Sequence, residues 1–279
     1  MKKSVLITGC SSGIGYCAAH GLHARGYRVF ATARREESVS MLQSEGLESL
    51  RLDLNDSASI HQAVAEVLQR TDGKLYALFN NGAYGLPGAV EDLSREAIRA
   101  QFETNFFGWL ELTNLILPVM RQQGYGRIIQ NSSVLGFAAM PFRGAYNASK
   151  FALEGLSDTL RLELHGTQIF VSLIEPGPIA TNFRTNAMQA LVRYIDVEKS
   201  VHRDRYLAVQ NRLNKKGATV PFTLPPEAVL QKVIHALEAH RPSTRYYVTF
   251  PTHLFGLLKR ILPVRMLDKL LAKAGSDHQ

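Results

Sequence analysis

Tyr146 and Lys150 stand four residues apart in Tyr-Asn-Ala-Ser-Lys, inside a stretch whose pattern predicts a helix over about 145–164. At that spacing both side chains project from one helix face. A phenol with an ordinary pKa of about 10 is a poor acid at neutral pH, but a neighbouring ammonium stabilises the phenolate and lowers that value. The pair therefore suits proton exchange with a carbonyl oxygen. Taken alone it is more often structural, because tyrosine and lysine meet by chance on many helix surfaces. Ser133 lies 13 residues before Tyr146, at the end of an expected strand, where its hydroxyl would reach the same oxygen. Ser132 competes with it, and either serine also suits a turn. Asn105 sits in an apolar helix over 102–117, where a buried amide needs a specific partner.

A second group of residues has the chemistry of anion binding. Thr8-Gly9-Cys10-Ser11-Ser12-Gly13-Ile14-Gly15 follows a buried apolar run at 5–7 and precedes a helix. Glycines there permit a tight turn and close backbone approach, while a helix N-terminus presents free N–H groups to a pyrophosphate. The spacing Gly-x-x-x-Gly-x-Gly differs from the commoner Gly-x-Gly-x-x-Gly. After the second strand stands Ala33-Arg34-Arg35, where an acidic residue would bind a ribose diol. Guanidinium groups bind a 2'-phosphate instead, so the sequence favours NADPH over NADH. The competing reading is a solvated basic helix start, with Glu36 and Glu37 neutralising both arginines.

These side chains need a frame. Apolar strands at about 5–7, 27–33, 50–52, 75–79, 127–130 and 169–174 alternate with helices, among them 57–70 and 94–123. That order predicts an α/β fold: one Rossmann-type, doubly wound parallel sheet with helices on both faces. Ligands then sit outside the carboxyl ends of the strands, which points to loops 9–15, 33–36, 53–56, 80–88, 131–144 and 176–181. Residues 182–220 are polar and basic without strand signals, and read as a substrate lid before Pro221, Pro225 and Pro226. The expected organisation is a catalytic domain over 1–250 and an amphipathic C-terminal helical extension over 251–279.

Of the 279 residues 46% are hydrophobic and 20% charged, enough for a sizeable core and against disorder. Cys10 and Cys17 support neither a disulfide framework nor a zinc site, so no metal is expected and a reducing, cytoplasmic setting is. The basic start and the run at 5–7 are too short for a signal core, and no stretch suits a spanning helix. A net charge of +8 leaves open nucleic acid, anionic lipid or a phosphorylated small molecule. No nucleic-acid reader motif is present, so no such partner is expected.

Jointly, these blocks resemble the short-chain dehydrogenase/reductase family over residues 4–181. The glycine motif matches at Thr8, Gly9, Gly13 and Gly15, with Ser11, Ser12 and Ile14 inside it, and the strand-end acidic motif at Asp53-Leu54. The family's Asn-Asn-Ala-Gly is represented by Asn80-Asn81-Gly82-Ala83, its last two residues exchanged. Pro176-Gly177, with Ile179 and Thr181, matches the segment after the sixth strand. The resemblance implies about seven strands, an NADP(H) cofactor with Asp53 near the adenine, and a homodimer or homotetramer assembled through long helices. It further implies a catalytic set in which Tyr146 is the general acid or base. Lys150 would lower its pKa and hold the nicotinamide ribose, Ser133 would polarise the carbonyl, and Asn105 would hold a relay water. Within the family the glycine motif and the stretch 174–179 look most like bacterial NADP-dependent aldehyde reductases, and are also similar to hydroxysteroid and retinol dehydrogenases.

The expected activity is therefore NADPH-dependent reduction of a hydrophobic aldehyde or ketone. One alternative is oxidation of a hydroxysteroid- or retinol-type alcohol on the same scaffold. An alternative of another class is a non-catalytic NADP(H)-binding regulator, against which the intact Ser133, Tyr146 and Lys150 set argues. At the C-terminus Leu254, Leu257, Leu258, Ile261 and Leu262, then Met266, Leu267, Leu270 and Leu271, keep helical spacing. Across 259–273 five basic residues face one acidic residue, a net of +4. Either this face packs on the protein, closing the pocket or meeting another subunit, or residues 254–273 make peripheral membrane contact.

Overall fold

The computed structural model describes residues 2–215, 217 and 220–275. Residues 216, 218 and 219 of the expected lid, and 276–279 of the expected extension, lie outside the described residues.

Seven parallel strands form one sheet in the order 3-2-1-4-5-6-7. They are β1 (Ser4–Ile7), β2 (Arg28–Ala33), β3 (Glu48–Arg51), β4 (Ala77–Asn80), β5 (Gly126–Asn131), β6 (Ile169–Glu175) and β7 (Arg245–Tyr247). β1 and β4 are buried throughout because both sheet faces are covered. Alternate side chains serve the two faces. Val5 and Ile7 join a core with α1 (Gly13–Ala24), α2 (Glu36–Ser44) and α9 (Glu227–Glu238), whereas Leu6 joins the opposite core with α3 (Ser57–Arg70), α5 (Gly108–Gln123) and α6 (Gly144–Glu163). The chain steps from β1 outward to β2 and β3 and then crosses back from β3 to β4 on the other side of β1, so the crevice for a ligand opens at the carboxyl end of β1.

Several elements depart from the sequence reading. The helix expected over 94–123 is α4 (Arg95–Phe102), one π turn (Glu103–Phe107) and α5. The segment expected as a lid contains α7 (Phe183–Tyr194) and α8 (Arg203–Asn214), whose Ala187, Leu191, Tyr206 and Leu213 pack with Ala89 and Phe142. The C-terminal extension is two helices, α10 (Phe250–Ile261) and α11 (Val264–Gly275). They break at Leu262, held extended before Pro263, as a residue preceding proline tends to be. Among the described residues no helix is long and apolar enough to cross a membrane.

Candidate active site

α6 carries Tyr146 and Lys150 one turn apart, and both are buried. The Lys150 ammonium donates to the Asn131 carbonyl at 2.7 Å and lies 4.4 Å from the Trp109 ring centroid and 5.8 Å from that of Tyr146. Burial brings its pKa down to about 7, with the Glu154 carboxylate one turn further along α6 pulling the other way. Burial also pushes the Tyr146 phenol up to about 12, an effect the Ser133 hydroxyl partly offsets. In the free protein loss of hydration decides the Tyr146 value, and the Ser133 hydroxyl rather than the Lys150 ammonium is what pulls it down. The proton therefore stays on Tyr146 at neutral pH.

The choice between the two serines is settled by strand alternation at the end of β5. Ser133 faces Tyr146, and its Oγ accepts the Leu135 N–H at 3.1 Å, closing the short helical turn that follows. Ser132 faces the other way, against Glu154 and Gly136. Asn105 lies in the π turn, fully buried. Its amide donates to the Tyr84 carbonyl at 2.9 Å and accepts from the Tyr84 N–H at 3.2 Å, and it reaches Ser149 Oγ on α6 at 3.4 Å. The side chain thus fastens the loop after β4 to α6, and its amide is already committed to protein partners. A π turn of this kind often marks a functional position in a helix.

The glycine loop fits a dinucleotide. Gly9 and Gly13 have φ of +71° and +60°, and a Cβ on Gly15 would lie 2.2 Å from the Gly9 carbonyl oxygen. α1 begins without a side-chain cap and without an acidic residue in its first turn, which leaves its N-terminal N–H groups for an anion. Ser11 and Ser12 flank that terminus, with Ile14 in its first turn. A Cβ on Gly82 would meet Gly9 N at 3.2 Å, so the exchange of Gly82 and Ala83 against the family order lets the two loops close tightly. Thr8 Oγ1 accepts from the Asn81 and Gly82 N–H groups at 2.8 and 2.9 Å. The Asn81 amide donates to the Thr8 carbonyl and accepts from Asn131 at 2.9 Å. One hydrogen-bonded path therefore runs from the glycine loop through Asn81 and Asn131 to Lys150.

Arg34 and Arg35 are exposed at the end of β2, and Glu36 lies 3.9 Å from Arg51 rather than against either of them. Neither arginine forms an ion pair among the described residues, so local neutralisation is not observed. Asp53 accepts the Asn55 N–H at 3.1 Å in the loop after β3, while Leu54 is pinned by α5, where a Cβ on Gly108 would sit 2.2 Å from the Leu54 carbonyl oxygen. On the far side of the crevice Pro176 accepts from the Val134 N–H at 2.8 Å, Gly177 lies against Thr249, and Thr181 lies against Gly13. Ile179 pairs with Leu224 in an isolated bridge. The residues expected at the site thus lie in loops at the carboxyl edge of the sheet, in the first turns of α1 and α6 and, for Asn105, in the π turn.

Of the apolar residues around Tyr146 the sequence singled out Leu271, but not Phe183, Val134 or Phe255. Phe183 opens α7 with its ring 5.5 Å from that of Tyr146, edge to face. Val134, Leu135, Ala138 and Tyr146 form one buried cluster with Phe255 of α10 and Leu271 of α11. Trp109, whose indole N–H donates to the Gly82 carbonyl at 2.8 Å, forms the floor under Lys150. Asn131, immediately before the serines, was legible as a polar residue ending an apolar strand. Behind the site Arg245 holds Glu154, Asp158 and Glu175 at 3.1, 2.7 and 3.2 Å, and burial together with like charge keeps a proton on the Glu154–Glu175 pair.

The chain matches the family model for short chain dehydrogenases over residues 3–191. It is 44% identical to the uncharacterized oxidoreductase YbbO of Escherichia coli, covering 97% of this chain and 94% of that one. It is 34% identical to human 17-beta-hydroxysteroid dehydrogenase type 1, over 99% and 84%. Among solved structures it superposes on an actinorhodin polyketide ketoreductase with NADPH at TM-score 0.73 and 28% identity, covering 88% and 95%. A Burkholderia phymatum member in complex with NAD shares the fold at TM-score 0.76 and 24% identity, over 93% and 95%. With its sheet order, glycine loop and Ser-Tyr-Lys geometry, the chain belongs to the short-chain dehydrogenase/reductase family of oxidoreductases.

Proposed function

We propose that the protein reduces a hydrophobic aldehyde or ketone to the alcohol with NADPH. The observation that carries this reading is the meeting of Ser133 and a protonated, buried Tyr146 beneath an apolar wall of Val134, Leu135, Phe183, Phe255 and Leu271. A lining of this kind favours an apolar substrate, and Tyr146 carries at neutral pH the proton a carbonyl oxygen takes up, whose release the Lys150 ammonium would assist by stabilising the phenolate. When bound, the nicotinamide supplies the hydride. Ser133 Oγ–H would orient and polarise the carbonyl oxygen, and Tyr146 would give that oxygen its proton. Lys150 would bind the ribose and stabilise the resulting phenolate, and the loop and helix joined by Asn105 would hold a water for proton resupply. Arg34 and Arg35, which pair with no carboxylate among the described residues, would supply the donors a 2'-phosphate requires. Asp53 and Leu54 would line the adenine.

A second reading, oxidation of a hydroxysteroid- or retinol-type alcohol, draws on the likeness to the 17-beta-hydroxysteroid dehydrogenase. The two readings separate on kcat/KM measured in both directions over medium-chain, aromatic and steroidal pairs of carbonyl and alcohol at neutral pH. The reductase reading expects the higher value for reduction with NADPH; faster oxidation of a steroidal alcohol would replace it. For the cofactor, Arg34→Ala is expected to lower the NADPH/NADH ratio of kcat/KM by about tenfold or more, the scale of one lost charge-assisted hydrogen bond. An unchanged ratio would remove Arg34 from the cofactor site.

A further inference from the structure

We propose that the outward face of α10 and α11 docks the protein on an anionic phospholipid bilayer. Each of these helices is apolar on two sides, and the fold uses only one. Inward, Thr252, Phe255 and Gly256 of α10 and Leu271 of α11 are buried, with Gly256 against the Tyr247 ring. Outward, Phe250, Leu254, Leu257 and Ile261 recur at helical spacing along α10, and Leu257 and Ile261 are 56% and 63% exposed. Val264, Met266 and Leu270 of α11 are exposed as well. Phe222, itself exposed, adds its ring 4.9 Å from that of Phe250. A helix pair serving only to cover the pocket would carry polar residues on its outer side.

Charge identifies the occupant. The segment 259–273 has a net charge of +4. On α11 Lys269 and Lys273 lie three and seven residues beyond Met266, beside the exposed stripe of Met266 and Leu270. Arg260, Arg265 and Lys269 meet no carboxylate among the described residues. A two-fold contact between copies through this face would place two such basic surfaces together, which like-charge repulsion disfavours. An anionic bilayer offers hydrocarbon to the stripe and phosphate to its basic border. Since no described helix can span a membrane, the pair would lie in the interface. Its inner face meets Tyr146 and Leu135, so docking would set the substrate pocket one helix thickness from the lipid.

This inference is independent of the reaction, and its test reads binding alone. The full-length protein is sedimented with vesicles of phosphatidylcholine, with or without phosphatidylglycerol. Binding is expected on the anionic vesicles and should weaken with added salt. Leu257→Ser with Ile261→Ser should lower that partition by about tenfold or more at unchanged subunit number. Arg265→Glu with Lys269→Glu, which alters no buried contact, should abolish the preference for anionic lipid and keeps the test valid if the serine variant fails to fold. No binding to either vesicle, or binding indifferent to lipid charge and salt, would overturn the proposal. So would a change of subunit number in the serine variant by light scattering, which would assign the face to a second copy.

Discussion

Lys150 is buried to 1% exposure and among the described residues has no carboxylate within ion-pair distance, its ammonium meeting a carbonyl and the faces of an indole and a phenol. Burying an ammonium that way is costly, and the folded-state pKa of about 7 against an ordinary 10.5 expresses the cost. Between those two values the unfolded chain holds the extra proton, so stability should rise with pH across the window, and below about 7 the full penalty is present. Lys150→Met, which keeps the packing on Trp109 and removes the charge, should melt no lower than the parent at pH 6, by calorimetry without cofactor, while losing turnover. A large fall in melting temperature would mean that the lysine stabilises the fold. In the reductive direction Tyr146 keeps its proton to about 12, so the titration within reach of ordinary assays belongs to Lys150. Its charge is lost as pH rises through about 7, and reductive kcat/KM should fall with it.

At the scale of elements, loops rather than helices decide where these residues stand. Gly15 allows α1 to begin against the Gly9 carbonyl, where a Cβ would come to 2.2 Å. Gly15→Ala should therefore displace the loop and weaken NADPH binding by about tenfold or more by titration calorimetry, overpacking of this kind costing on the order of 1–3 kcal/mol. Gly155→Ala, in the exposed middle of α6 with nothing within 4 Å, is the control and should leave binding intact. Phe183 stands at the start of α7 with its ring against Tyr146, the position of a lid. Phe183→Ala should raise KM for bulky carbonyls several-fold and leave cofactor affinity alone; an equal loss of both would show that α7 supports the nucleotide instead.

The same scale explains what could be read in advance. Strands such as β1 and β4 are continuous apolar runs because helices cover both faces, and that signal is local. Helix α3 was legible to its ends for a similar reason, with Asp56 capping it through the Ser59 N–H. The π turn was not, because one extra residue per turn shifts the apolar period without interrupting it, and only Asn105 and Gly108 inside an apolar helix hinted at it. Helices α7 and α8 were hidden because their few inward residues pack on a distant loop around Ala89 and Phe142. β7 is three residues long and pairs only with β6, too short to leave a periodic trace.

For the molecule as a whole, one sheet edge gathers the chemistry while the two cores beneath it keep that edge fixed. The glycine loop, the serine turn and α6 come from three separate stretches, and the bonds through Asn81 and Asn131 make them one unit. Helices α10 and α11 then pack on the serine turn and Tyr146 from a part of the chain remote in sequence. The central claim is that this assembly is a reductase whose proton donor is Tyr146, and Tyr146→Phe tests it most directly. Consumption of NADPH with a panel of hydrophobic carbonyl compounds would be followed for the parent and the variant, together with NADPH affinity. Turnover in the parent, a loss of about a hundredfold or more in the variant, and unchanged NADPH binding are expected. Equal turnover in both proteins, or tight NADPH binding with no turnover on any carbonyl, would contradict that claim.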